Sequence, residues 1–173
     1  MKKIITLIAI FCLSFASIAQ EKSETFPQDI DKKHELKFNA LTLVAGPWLD
    51  FSYEYLIDEE SSFGVAATYN TNRSENDLNY MLAPYYRRYF SGKFARGFFV
   101  EGFGALYSAR EFTLFSPSTP FETGFALGVS VGGKWVSKKG FTAELVLGVG
   151  RNLIDNDALD GIGRIGISMG YRF

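Results

Sequence analysis

The chain has 173 residues, enough for one domain, and carries 18 basic and 19 acidic side chains for a net charge of −1. With no basic patch or stripe in that balance, nucleic acid is not an expected partner. The one cysteine, Cys12, lies in an N-terminal segment expected to be cleaved and one histidine remains, so neither a zinc site nor a Cys/His nucleophile pair is available, and no metal, no cofactor and no catalytic residues are expected.

Lys2 and Lys3 precede the apolar run Ile4 to Phe15, and Ser17-Ile18-Ala19 supplies a small-x-small cleavage site. Residues 1–19 therefore read as a secretory signal peptide, whose removal takes Cys12 with it. Phe11 is bulky where a lipidation site needs a small residue, so no lipid anchor is expected at Cys12. No later apolar run approaches the roughly 20 residues of a helical span. Barrel strands need only about 10 and alternate, so this leaves a membrane barrel open. Residues 20–34 are polar and aperiodic and are expected to form a flexible periplasmic leader, with the barrel proper over 35–173.

Strand one is expected from Glu35 to Val44, its facing left open by the pattern, and Gly46-Pro47 turns the chain. Strand two, Trp48 to Ile57, sets Leu49, Phe51, Tyr53, Tyr55 and Ile57 against Asp50, Ser52 and Glu54, a clean period of two. Strand three, Ser62 to Asn70, turns Phe63, Val65, Ala67 and Tyr69 outward. Strand four, Asn79 to Phe90, contains Pro84, which lacks a ladder donor and is expected to mark a bulge, leaving the facing of Arg88 open. Strand five spans Phe98 to Ser108, with Phe98, Val100 and Leu106 opposite Glu101. The connection 109–122 is the longest and holds Phe112, Phe115 and Phe121, a candidate binding surface.

Strand six places Phe125, Leu127, Val129, Val131 and Trp135 opposite Gly124, Ala126, Gly128, Ser130, Gly132 and Lys134. Strand seven places Phe141, Ala143, Leu145, Leu147 and Val149 opposite Thr142, Glu144, Gly148 and Gly150. In the final strand Ile165, Ile167, Met169, Tyr171 and Phe173 oppose Arg164, Gly166, Ser168, Gly170 and Arg172. A solvent-facing surface that is half glycine packs nothing, whereas small and charged residues suit a narrow lumen inside an apolar wall. The expectation is an all-β fold, an eight-stranded antiparallel up-and-down transmembrane β-barrel, closed between strands one and eight so that no edge is left open.

With both termini periplasmic, Phe90, Phe98, Trp135, Phe141, Tyr171 and Phe173 fall at one end as an aromatic girdle. The inward charges are Asp50, Glu54, Arg87, Glu101, Lys134, Glu144, Arg164 and Arg172, expected to neutralise one another in a polar core that fills the lumen. A narrow pore is the alternative. His34 lies at the entrance of strand one with no spacing that brings a serine or carboxylate beside it. Gly161 to Gly166 matches G-x-G-x-x-G but is followed by strand rather than helix, so no dinucleotide site is expected. Asp155, Asp157 and Asp160 make a poor calcium loop, because Leu159 replaces an oxygen ligand and no glutamate follows.

The segments His34 to Leu41, Ala83-Pro84-Tyr85-Tyr86-Arg87, Phe98 to Gly104, Gly132-Gly133-Lys134-Trp135, Gly148 to Asn152 and Gly170-Tyr171-Arg172-Phe173 together resemble a family of small outer-membrane barrels of Bacteroidetes-type bacteria, Domain of Unknown Function 3575. The resemblance implies a barrel embedded in outer-membrane lipid, with no family activity to carry over, and the architecture is similar to OmpA-type barrels. Phe173 looks like the C-terminal signal read by the barrel-assembly machinery, which the resemblance adds as a partner. The function expected is non-enzymatic, structural or surface-binding through extracellular loops whose ligand the sequence does not identify. The alternatives are a narrow channel for small solutes or an outer-membrane enzyme acting on lipid.

Overall fold

The computed structural model describes residues 26, 28–46, 48–72, 78–110, 120–154 and 161–173. The signal peptide, most of the 109–122 connection and Asp155, Asp157, Leu159 and Asp160 lie outside the described residues. The elements are α1 (Gln28–Asp31), β1 (His34–Asn39), α2 (Ala40–Ala45), β2 (Trp48–Leu56), β3 (Ser61–Asn70), β4 (Leu78–Tyr89), β5 (Gly97–Ala109), β6 (Glu122–Val136), β7 (Phe141–Asn152) and β8 (Gly161–Arg172). Each strand pairs antiparallel with the next and β1 pairs with β8, so the sheet closes into a barrel in sequence order. At the seam the His34 amide donates to the Phe173 carbonyl (3.1 Å) and the Phe173 amide to that of His34 (2.8 Å).

One end of the barrel carries the short turns β2–β3, β4–β5 and β6–β7 and is called the turn end; the other is the loop end. The β6–β7 turn is closed by the Ser137 amide on the Phe141 carbonyl (2.8 Å) and the Phe141 amide on Ser137 Oγ (3.0 Å). Gly140 sits there at φ 92°, a left-handed conformation open to glycine and costly for other residues.

The period-two pattern holds round the wall. Leu, Ile, Val and aromatic side chains stand exposed on the outside, while the buried set includes Glu35, Lys37, Glu54, Arg87, Glu101, Lys134, Glu144 and Arg172. This inverts the arrangement of a water-soluble protein. The lumen, expected to be lined by small residues, also holds an aromatic ladder. Phe99, Phe103 and Tyr107 project inward from β5, and each lies over a glycine of β6: a Cβ at Gly132, Gly128 or Gly124 would collide with the respective ring. The glycines are thus space for the rings of the neighbouring strand.

Three expectations are corrected. Strand one stops at Asn39 rather than Val44, and Ala40–Ala45 forms helix α2. Asn39 caps it: Oδ1 accepts from the Leu41 amide (3.2 Å), and Thr42 Oγ1 donates to the Asn39 carbonyl (2.9 Å). The leader is not free throughout, because α1 places Asp29 in the turn-end mouth, buried between Arg96 and Arg172. Pro84 does not shift the register: the β4–β5 pairing lacks partners at Ala83 and Pro84 and resumes unchanged, and the irregularity falls between Leu78 and Tyr80 instead. Arg87 therefore points inward and Arg88 outward, where it meets the exposed Glu60.

Candidate functional site

The strands converge their charged residues in the turn-end half of the lumen. Glu54 on β2 is the hub. One of its oxygens accepts from Lys134 Nζ (2.7 Å), Ser62 Oγ (2.6 Å) and Tyr89 OH (2.6 Å), the other from Lys37 Nζ, Arg87 Nη1 (3.0 Å) and Tyr85 OH (3.3 Å). Two cations are shared onward to Glu144, by Lys37 at 2.8 Å and by Arg87 through two donors at 2.6 and 2.8 Å. Arg87 Nε also donates to Glu101 (2.5 Å), whose other oxygen takes Arg164.

Toward the mouth, Lys134 donates to Glu35 (2.8 Å), and Glu35 accepts from Arg172 Nε (2.9 Å). Arg172 reaches on to Asp29 (3.0 Å), to which Arg96 also donates (3.2 Å). The guanidinium of Arg172 donates to the Ala95 carbonyl as well (3.0 Å), which pins the β4–β5 turn across the mouth. Asp29, Glu35, Glu54, Glu101 and Glu144 meet Lys37, Arg87, Arg96, Lys134, Arg164 and Arg172 in the network, and Asp50, outside it but near enough to feel the Arg164 charge, brings the two signs to equal number. In a low-dielectric interior that equality is what makes the cluster tolerable, since an unpaired buried charge costs several kcal/mol.

Of the eight inward charges read from the sequence, Glu54, Arg87, Glu101, Lys134, Glu144, Arg164 and Arg172 meet in this network. Asp50 stands apart and accepts from Asn39 Nδ2 (3.0 Å). Sequence reasoning missed Glu35 and Lys37, because β1 is too short for its facing to be read, and Asp29 and Arg96, because neither lies on a strand. The alternation His34, Leu36, Phe38 against Glu35, Lys37, Asn39 is the signal that finds the first two.

The six girdle residues Phe90, Phe98, Trp135, Phe141, Tyr171 and Phe173 are all exposed and all lie at the turn end. Phe90 packs on Phe98 (ring centroids 6.1 Å) and Phe141 on Tyr171 (5.4 Å). Phe173 stacks on His34 (5.9 Å), whose Nδ1 meets Tyr53 OH at 2.6 Å. No group of three or more metal-ligating side chains occurs among the described residues. Gly161–Arg172 is strand throughout, so the glycine motif opens no helix.

No curated protein matches the sequence. Among solved structures, the outer membrane protein Ail of Yersinia pestis, determined as a backbone structure in a phospholipid bilayer nanodisc, is similar over 83% of this chain and 100% of its own, with a TM-score of 0.41 and 13% identity. A family model matches residues 5–161, and the chain accordingly belongs to the family described as Protein of unknown function (DUF3575).

Proposed function

We propose that the chain is a non-enzymatic integral protein of the bacterial outer membrane, exported by its signal peptide and folded by the barrel-assembly machinery, with its role expressed through the loop end. The observation that carries this is the inverted face distribution: Phe51, Phe63, Leu127, Val129, Leu147, Val149, Ile165 and Met169 are exposed around the wall, while the ions are buried. Only lipid makes such an exterior favourable, and only a closed barrel satisfies its backbone there. The exposed aromatics of the turn end then lie at the periplasmic interface and the long connections face outward.

The lumen supports a structural plug rather than a conduit. The Lys37–Glu54–Lys134–Glu35 core is bracketed by arginines, Arg87 and Arg164 on one side and Arg172 and Arg96 on the other. A guanidinium does not release its proton at any physiological pH, so a relay through these groups is interrupted at both ends. Fractionation with a heat-modifiability gel tests the membrane reading, and planar-bilayer conductance tests the plug. A soluble periplasmic band overturns the first; steady single-channel steps overturn the second.

A further inference from the structure

The barrel wall is incomplete at one place. β1 has 6 residues where β8 has 12. At about 3.3 Å per residue and about 40° of tilt, β1 rises roughly 15 Å, against an apolar layer of about 25 Å. β1 meets β8 only over Ser168 to Arg172, which leaves Gly161 to Ile167 without a strand partner on that edge. Part of the gap is bridged by a single side chain: Asn39 accepts from the Ile167 amide (3.1 Å) and donates to the Ile165 carbonyl (3.3 Å). Helix α2 packs between β8 and β2 in the remainder, with Leu43 (51% exposed) and Val44 (88%) on its outer side. Apolar Phe38, Leu49 and Ile165 surround it, so the gap opens into lipid rather than water.

Behind it the loop-end lumen differs from the ionic half. Ile162 and Met81 pack there on Phe103, Tyr107 and Ala126. Six buried polar atoms among the described residues have no hydrogen-bond partner: Ser130 Oγ on β6 and Thr142 Oγ1 on β7, and four on loop-end residues of the successive strands β2, β3, β4 and β5, namely Trp48 Nε1, Thr68 Oγ1, Asn79 Oδ1 and Tyr107 OH. Native proteins leave few such groups, and a ligand that satisfies these must offer an acceptor to the Trp48 N–H and a hydroxyl to the Asn79 Oδ1 acceptor.

We propose that the β8–α2–β2 gap is a lateral portal through which a single-chain amphiphile of the surrounding bilayer enters. Its acyl chain lies beside Ile162 and Met81, and its hydroxyl-bearing head group (a carboxylic acid in the simplest case) accepts from the Trp48 indole N–H, exchanges hydrogen bonds with the Thr68 and Tyr107 hydroxyls and donates to Asn79 Oδ1. The proposal rests on the membrane reading above.

The protein's two tryptophans separate the two claims. In phosphatidylcholine vesicles Trp135→Phe leaves Trp48 as reporter, and Trp48→Phe leaves Trp135, which faces out of the wall. Titration with a long-chain fatty acid brominated in mid-chain is expected to quench Trp48 saturably. Thr68→Val and Tyr107→Phe, each made separately and checked for folding by heat-modifiability, raise the half-saturation about three- to tenfold, the worth of one hydrogen bond. Ile162→Phe fills the chain's place and removes the saturable component. Quenching of Trp48 that is absent, or linear in bulk acid and indifferent to these substitutions, overturns the portal. Failure of brominated phosphatidylcholine to quench Trp135 overturns the membrane reading itself.

Discussion

Glu54→Gln is the most demanding test of the ionic core. The carboxylate is fully buried and accepts from Lys37, Arg87, Lys134, Ser62, Tyr85 and Tyr89. The amide keeps the shape but removes the negative charge, and its NH2 can accept nothing, so one edge of the hub loses its acceptor. The balance of the lumen moves to one excess cation, at a hub whose side chains are buried from solvent. Breaking a buried pair in this way costs about 3–5 kcal/mol. With a urea slope of about 2 kcal/mol/M, the unfolding midpoint of the barrel in lipid vesicles, read by tryptophan emission, falls by about 2 M. Adding Lys134→Met to Glu54→Gln restores neutrality, and the double variant recovers at least about 1 kcal/mol relative to the sum of the single ones. A Glu54→Gln midpoint within experimental error of the parent, or strict additivity in the cycle, refutes the network as drawn.

Glu101→Leu removes the carboxylate shared by Arg87 and Arg164 and lowers stability by about 3 kcal/mol in the same urea assay; an unchanged midpoint removes that contact. Gly128→Val puts a side chain into the ring of Phe103 and the carbonyl of Val149, costing about 1–3 kcal/mol, and Phe103→Ala in the same chain relieves the ring's share of the clash, so strict additivity of the two single variants in the double argues against the aromatic–glycine ladder. Deleting Phe173 removes the last pair of the β1–β8 seam and the exposed terminal ring, and the surface level of the protein drops; normal levels count against an assembly role. At the exposed β2–β3 turn, the Ser61 hydroxyl and the Glu60 amide hold the Asp58 carboxyl below its usual range. Because the folded value is the lower one, this stabilisation is present above the unfolded value near 3.9 and disappears as pH falls through the folded one. Asp58→Asn therefore costs less than about 0.5 kcal/mol at pH 7 and progressively less as pH falls through the folded value, and a loss that grows toward low pH contradicts the assignment.

Strand number, direction and facing were legible in the sequence wherever a strand was long enough to repeat. Ile165 to Phe173 and Phe125 to Trp135 alternate for five outward positions or nearly so, and period two is a local property that needs no partner to be read. β1 failed the same test because the alternation stops at Asn39 and the apolar run Ala40 to Ala45 that follows, with β-branched Thr42 and Val44 in it, reads as strand as readily as helix, while the Asn39 cap becomes decisive only when Asn39 can also reach the edge of β8.

What the sequence determined by itself is the binary pattern, and with it a closed barrel with apolar residues outside and charges within. Which charge meets which was decided by the tertiary structure alone. Glu54 reaches Lys134 across 80 positions of sequence and Lys37 reaches Glu144 across 107, contacts set by the stagger of eight strands closing on one another. The same stagger lays the rings of β5 over the glycines of β6, brings Asp29 into the mouth and leaves the gap above Asn39. A local period fixes the face of a side chain, but the height at which it meets its neighbours is a property of the closed sheet.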